Sequence, residues 1–273
     1  MSELLELIKT RKSVRTFDGR PLSAEDRARL ERYAESISNP FGIPVRFVLL
    51  DARENGLSSP VLSGEPTYVA GIVPKEPGAE VGFGYSFEKL VLYAWSLGIG
   101  TTWIGGTMKR ELFEQAVGLA DNERMPCVSP LGYPAEKRSV KEVMMRKAVG
   151  ADARLSADKL FFDGAWDAPL AAGDGALHEL LEMVRWAPSA VNKQPWRIIA
   201  NGGCYHFYEK RDKKYAGEKT GDLQKIDVGI ALCHFVAGLE ALGKTPEVAR
   251  RDPGIAVPES VEYIATVRVS VSS

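Results

Sequence analysis

The sequence predicts an α+β fold in two related halves, and three observations lead there. Short apolar runs of strand length are interleaved with amphipathic helical stretches, so no single period governs the chain. Two long apolar helices end alike, in Leu97-Gly98 and Leu242-Gly243. Short matches such as Phe17-Asp18-Gly19 with Phe162-Asp163-Gly164, and Pro44-Val45-Arg46-Phe47 with Pro195-Trp196-Arg197-Ile198, recur at offsets of about 145–151 residues. A connection from about 150 to 175, rich in Ala, Asp and Gly, separates the two sets. Residues 1–150 and 151–273 are each expected to hold an antiparallel-rich sheet with flanking helices.

Each element has a local reason. Leu4, Leu5, Leu7 and Ile8 give residues 2–10 a helical stripe. Ser23, with Asp26 three residues on, resembles a capping box that opens a helix to about Ser38. Val45 to Leu50 and Tyr68 to Val73 are apolar runs of buried-strand length. A helix from about Glu80 to Leu97 stops at Gly98, followed by a shorter one at 109–117 and a strand near 128–133. The second half offers a helix at 176–186, strands at 196–200 and 205–208, a long helix at 223–242 and a strand at 263–269.

Bulk properties exclude several classes. The 273 residues are 45% hydrophobic and 26% charged, an ordinary globular balance. A net charge of −1 provides no global field for nucleic acid or an anionic membrane, so any anion site is local. The opening MSELLELIKTRK lacks an apolar signal region, and the apolar stretch from Gly229 to Gly243 is too short to span a bilayer. The expected location is cytoplasmic. Cys127, Cys204 and Cys233 are scattered, which suits free thiols. A metal site built from Cys204, His206, Cys233 and His234 matches no ligand spacing, so no metal is expected.

Four segments could carry chemistry. Arg11-Lys12-Ser13-Val14-Arg15 follows the first helix; in extended backbone Arg11, Ser13 and Arg15 share one face and suit an anion, or the stretch is simply solvated. Trp186-Ala187-Pro188-Ser189-Ala190-Val191-Asn192-Lys193-Gln194-Pro195-Trp196 is a stiff polar loop between helix and strand, either a site or a helix stop with a turn. Gly98 to Gly106 is neither a dinucleotide fingerprint nor a P-loop. Gly105-Gly106 allows backbone to approach a flat ligand, the alternative being a cap and a tight turn. Leu131-Gly132-Tyr133-Pro134 leads to Lys137 and Arg138, a second anion contact or plain surface.

Together these segments resemble the FMN-dependent nitroreductase family, with its R-x-S-x-[RK] segment, APSxxNxQPW loop, GLGTxWIGG helix end and LGYP strand end. Members of that family are usually homodimers that share each flavin between subunits. Here the motifs are divided. The first half keeps the basic segment and both turns, but has Ile37-Ser38-Asn39-Pro40-Phe41-Gly42-Ile43-Pro44 where the loop should lie. The second half keeps the loop, but only Arg154-Leu155-Ser156 as a remnant of the basic segment.

The resemblance implies a nitroreductase-like fold forming an internal pseudo-dimer with one competent site, in which a monomer suffices. By the same resemblance Arg11, Lys12 and Ser13 hold the phosphate and ribityl end of FMN with Lys137 or Arg138. Arg15 faces the N1/O2 edge, and Ile104, Gly105 and Gly106 form the turn at N5. Pro188, Ser189, Ala190 and Asn192 close over the flavin. No side chain is expected to act as catalytic acid or base. The implied activity is reduction of a small electron-poor acceptor, a nitroaromatic or quinone, by NAD(P)H in a ping-pong cycle. A flavin carrier or sensor without turnover, or a flavin enzyme reduced by a protein partner, are the alternatives.

Overall fold

The computed structural model describes residues 1–269. In the first half, α1 (Ser2–Thr10) and α2 (Ala24–Ser36) precede β1 (Arg46–Asp51) and β2 (Thr67–Pro74). Then come α3 (Ala79–Ser96), α4 (Arg110–Ala116), β3 (Glu123–Arg124), β4 (Val128–Leu131) and α5 (Val140–Ala148). The second half runs through β5 (Phe161–Asp163), α6 (Ala176–Arg185), β6 (Trp196–Asn201), β7 (Cys204–Lys210), β8 (Ala216–Gly217) and β9 (Gly221–Asp222). It ends with α7 (Leu223–Ala241), β10 (Pro246–Ala249) and β11 (Val261–Val269).

The expected caps form. Ser23 accepts the Asp26 N–H at 3.0 Å and starts α2. Gly98 and Gly243 take left-handed φ of 75° and 71° just past α3 and α7. The limits of the expected strands and helices fall within about two residues of those read from the sequence. The connection at 150–175 is less plain than expected: Leu160 and Phe161 are buried, and β5 pairs in parallel with β6. Three strand residues are too few to show a period. Helix α5, the short pair β8–β9 and strand β10 also lie outside the expected elements.

β2 is central in the first sheet, antiparallel to β1 on one side and to β4 on the other, with β3 extending that second side. The second sheet has the order β10-β11-β7-β6-β5, antiparallel except for β5. α3 packs on the first sheet, α7 on the second, and the two helices pack on each other. They are apolar nearly all round because they are covered nearly all round.

Their crossing is reciprocal. A Cβ at Gly84 would run into the Ile226 carbonyl oxygen, and one at Gly229 into that of Val81. Gly84 and Gly229, like Val81 and Ile226, stand 145 positions apart. Only glycine lets the backbones approach this closely.

Candidate functional site

Chain entry into the site is set by the segment after α1. Ser13 bridges Thr101 and Thr16 bridges Ser63, which holds residues 11–16 extended. Val14, on the inner face, packs where a Cβ at Gly100 would stand. Arg11, Ser13 and Arg15 therefore point together into a cavity of about 480 Å³, within the roughly 300–1,000 Å³ usual for small-ligand sites.

Glycine 105 reaches the cavity because its turn is anchored from behind. Ile104 and Val128 exchange both backbone hydrogen bonds at 2.9 Å. The buried Arg110 guanidinium donates to the carbonyls of Gly105 (2.6 Å), Met125 (2.5 Å) and Pro126 (3.2 Å). Trp103, on the cavity wall, donates its indole N–H to Glu88 at 3.3 Å. Glu88 and His234 are both fully buried and meet at 3.0 Å across α3 and α7, with the other His234 ring nitrogen 2.8 Å from the Met183 carbonyl.

The second half supplies the opposite wall. Val191, Asn192 and Gln194 have positive φ of 43°, 58° and 50°. Such strain costs of order 1–3 kcal/mol per residue and persists only where the surroundings hold it. Here Asp227, 4% exposed on α7, accepts the Ala190 N–H at 3.1 Å with both carboxylate oxygens. Gln194 N–H donates to Ser189 Oγ at 2.9 Å. The Asn192 amide donates to the Gly150 and Ala153 carbonyls at 2.8 and 2.9 Å, which ties the loop to the strap between the halves. Burial holds the Asp227 carboxyl well above the usual carboxylate range.

α5 closes a third side through Met145 and Arg146, with Val149 just past its end. Ser139 caps it, accepting the Glu142 N–H at 3.2 Å. The buried Glu142 carboxylate accepts from the Arg15 N–H (3.1 Å) and Thr16 hydroxyl (2.9 Å) and lies 3.5 Å from Arg138.

Seven cations line the cavity (Lys9, Arg11, Lys12, Arg15, Arg138, Arg146, Arg154) against two acids, Asp152 and Asp227. Arg146 pairs with Asp152. Arg11 is 8% exposed, and its Nε and Nη1 are buried without hydrogen-bond partners among the described residues. Burial lowers its pKa, with Glu88 opposing and Arg146 adding to the effect. Burial lowers the Arg15 pKa as well, and Glu142 opposes that.

Of the residues named from sequence, Arg11, Lys12, Ser13, Arg15, Gly105, Arg138, Pro188, Ser189, Ala190 and Asn192 line this one cavity. Ile104 is buried behind the turn, and Gly106 and Lys137 are exposed and off the cavity wall. Sequence reasoning missed Arg146, Arg110 and Asp227. Ser139 followed by Glu142 was a readable capping signal for α5 and would have brought Arg146 into view. Elsewhere, His206 contacts Thr266 at 2.8 Å and His234 contacts Glu88, so the two histidines serve separate networks.

The chain matches the family model described as "Putative TM nitroreductase" over residues 3–239. It belongs to that family. A putative nitroreductase from Thermotoga maritima MSB8 is 20% identical and superimposes over 97% of this chain and 93% of its own, with TM-score 0.63. Half-length matches include a nitroreductase family protein from Clostridium novyi NT, with 21% identity, 49% and 86% coverage and TM-score 0.42. Another is an FMN-dependent nitroreductase from Clostridium difficile R20291, with 17% identity, 49% and 88% coverage and TM-score 0.42. No curated relative matches. Among the described residues no helix is long and apolar enough to cross a membrane.

Proposed function

We propose that this nitroreductase-family chain binds one FMN between its halves and reduces a small electron-poor acceptor, a nitroaromatic or quinone, with NAD(P)H in a ping-pong cycle in the cytoplasm. The observation that carries the proposal is the single cavity in which Arg11, Ser13, Arg15 and Gly105 of residues 1–150 meet Pro188, Ser189 and Ala190 of residues 151–273. The donor set fits a flavin mononucleotide: the buried, unpartnered Arg11 nitrogens suit a phosphate, and Trp103 and Trp186 offer flat apolar walls.

In this reading Arg11, Lys12 and Ser13 hold the phosphate end with Arg138, while Ile104 acts only by fixing the turn and Lys137 and Gly106 drop out. FMN held by these residues would supply two-electron (hydride) chemistry between NAD(P)H and the acceptor. The protein's part is electrostatic. Arg15, a half-buried cation on the cavity wall, would stabilise negative charge on a flavin held there. Trp103, Ile226 and Ile230 exclude water, and Asp227 holds the strained loop in place.

The halves are proposed to descend from an internal duplication, supported by the reciprocal Gly84/Gly229 crossing and the twin caps at Gly98 and Gly243. A monomer then suffices. The purified protein is expected to be yellow, to release FMN on heating, and to oxidise NAD(P)H when a quinone is supplied. FAD in place of FMN, or no flavin after reconstitution, would overturn the reading.

A further inference from the structure

We propose that Arg154, from the second half of the chain, joins Arg11 of the first in one anion subsite that takes the phosphate end of the bound nucleotide; this rests on the flavin reading above. The two guanidiniums line the same cavity. Arg154 lies 4.7 Å over the Trp186 ring, which fixes its plane. Its Nη1 is spent on the Ala151 and Ala153 carbonyls at 3.0 and 2.7 Å, so it also braces the strap. Its Nε, like Nε and Nη1 of Arg11, is buried and unpartnered among the described residues.

Among the described residues neither guanidinium is in an ion pair with a carboxylate, and the two acids that attract them from further off are engaged elsewhere. Glu88, the acid acting on Arg11, is engaged by His234 and Trp103. Asp152, which attracts Arg154, is held by Arg146. Burial, with repulsion from Arg11, pushes the Arg154 pKa down to about 10. Two desolvated like charges with three idle donors are costly until an anion enters. A phosphate monoester, with about −1.5 to −2 charges and three acceptor oxygens, matches that deficit in charge and in donor count.

The subsite is built across the halves, so the remnant basic segment of the second half serves the site of the first. The test compares FMN and riboflavin affinity by flavin fluorescence in wild type, Arg154→Gln and Arg154→Lys. The expected result is FMN weakened on the order of ten- to a hundredfold in Arg154→Gln, riboflavin unchanged, and partial recovery in Arg154→Lys. Equal weakening of both flavins would reduce Arg154 to a brace for the strap and overturn the proposal, as would unchanged FMN affinity. If wild type binds neither flavin, the flavin reading falls by itself, and inorganic pyrophosphate decides the subsite. Thermal stabilisation of wild type but not of Arg154→Gln supports it, and equal or absent stabilisation overturns it.

Discussion

Two regions related by the 145-residue offset have opposite fates. At the open site Gly105 faces Leu223, and Asp227 grips the Ala190 N–H. At the related place Arg250 stands at the position corresponding to Gly105 and Gly78 at that of Leu223, and a Cβ at Gly78 would run into the Arg250 guanidinium. Arg250 also lies 5.2 Å over the Phe41 ring. The counterpart of Asp227 is Gly82, against which Ile43 packs, and Asn39 satisfies its own loop at Ile43. The contrast separates scaffold from site. Both regions keep the glycine crossing and the helix caps, and only one keeps a backbone turn free of side chains and a carboxylate to hold the loop.

The shared scaffold is expected to be the most sensitive part. Gly229→Ala places a methyl group in the Val81 carbonyl and should cost at or beyond the upper end of the roughly 1–3 kcal/mol usual for overpacking. A urea midpoint close to that of wild type would show that the crossing can relax.

Glu209 is fully buried with both carboxylate oxygens unpartnered among the described residues, and burial with nearby Asp222 pushes its pKa up to about 7. A carboxyl raised on folding contributes stability that is complete below its unfolded pKa and is lost as pH rises through its folded one. Wild type should therefore lose on the order of 2–3 kcal/mol between pH 5 and pH 8 from this group. Glu209→Gln should remove most of that loss, read as a Tm that falls less with pH. An unchanged pH slope would show that the carboxyl finds compensation.

At the open site Asp227→Ala leaves the Ala190 N–H without its acceptor, and FMN should bind about tenfold or more weakly. Stability should change little, because the Ala190 N–H left without an acceptor offsets the removal of a buried carboxyl. Unchanged FMN affinity would mean that the 188–192 loop needs no such hold. At the closed site the smallest effect is expected. Arg250→Ala should cost under about 1 kcal/mol and admit no second flavin, since Ile43 still fills the space at Gly82. A gain in bound flavin would show that Arg250 alone closes that site.

These particular residues explain what the sequence could reveal. Caps and long helices are local, so Ser23, Gly98 and Gly243 were readable, and the two-residue period of extended backbone placed Arg11, Ser13 and Arg15 on one face. α5, no shorter than α1, was hidden because Val140 is 77% and Met144 66% exposed, which blurs its helical stripe. Asp227 gains its role from Ala190, 37 residues away, which no local pattern encodes; Arg110 and Arg146 bond to Gly105 and Asp152 only five and six residues off, and they gain their meaning when those segments fold against the cavity. Arg154 was visible only as part of a remnant motif, and its burial beside Trp186 gives it meaning.

Flavin stoichiometry measured together with mass by light scattering across a dilution series tests the divided site most directly. With one site open, one closed, and both walls on one chain, binding should saturate near one FMN per chain and persist in a monomer. Two flavins per chain, or flavin lost in step with the dissociation of a dimer, would contradict it.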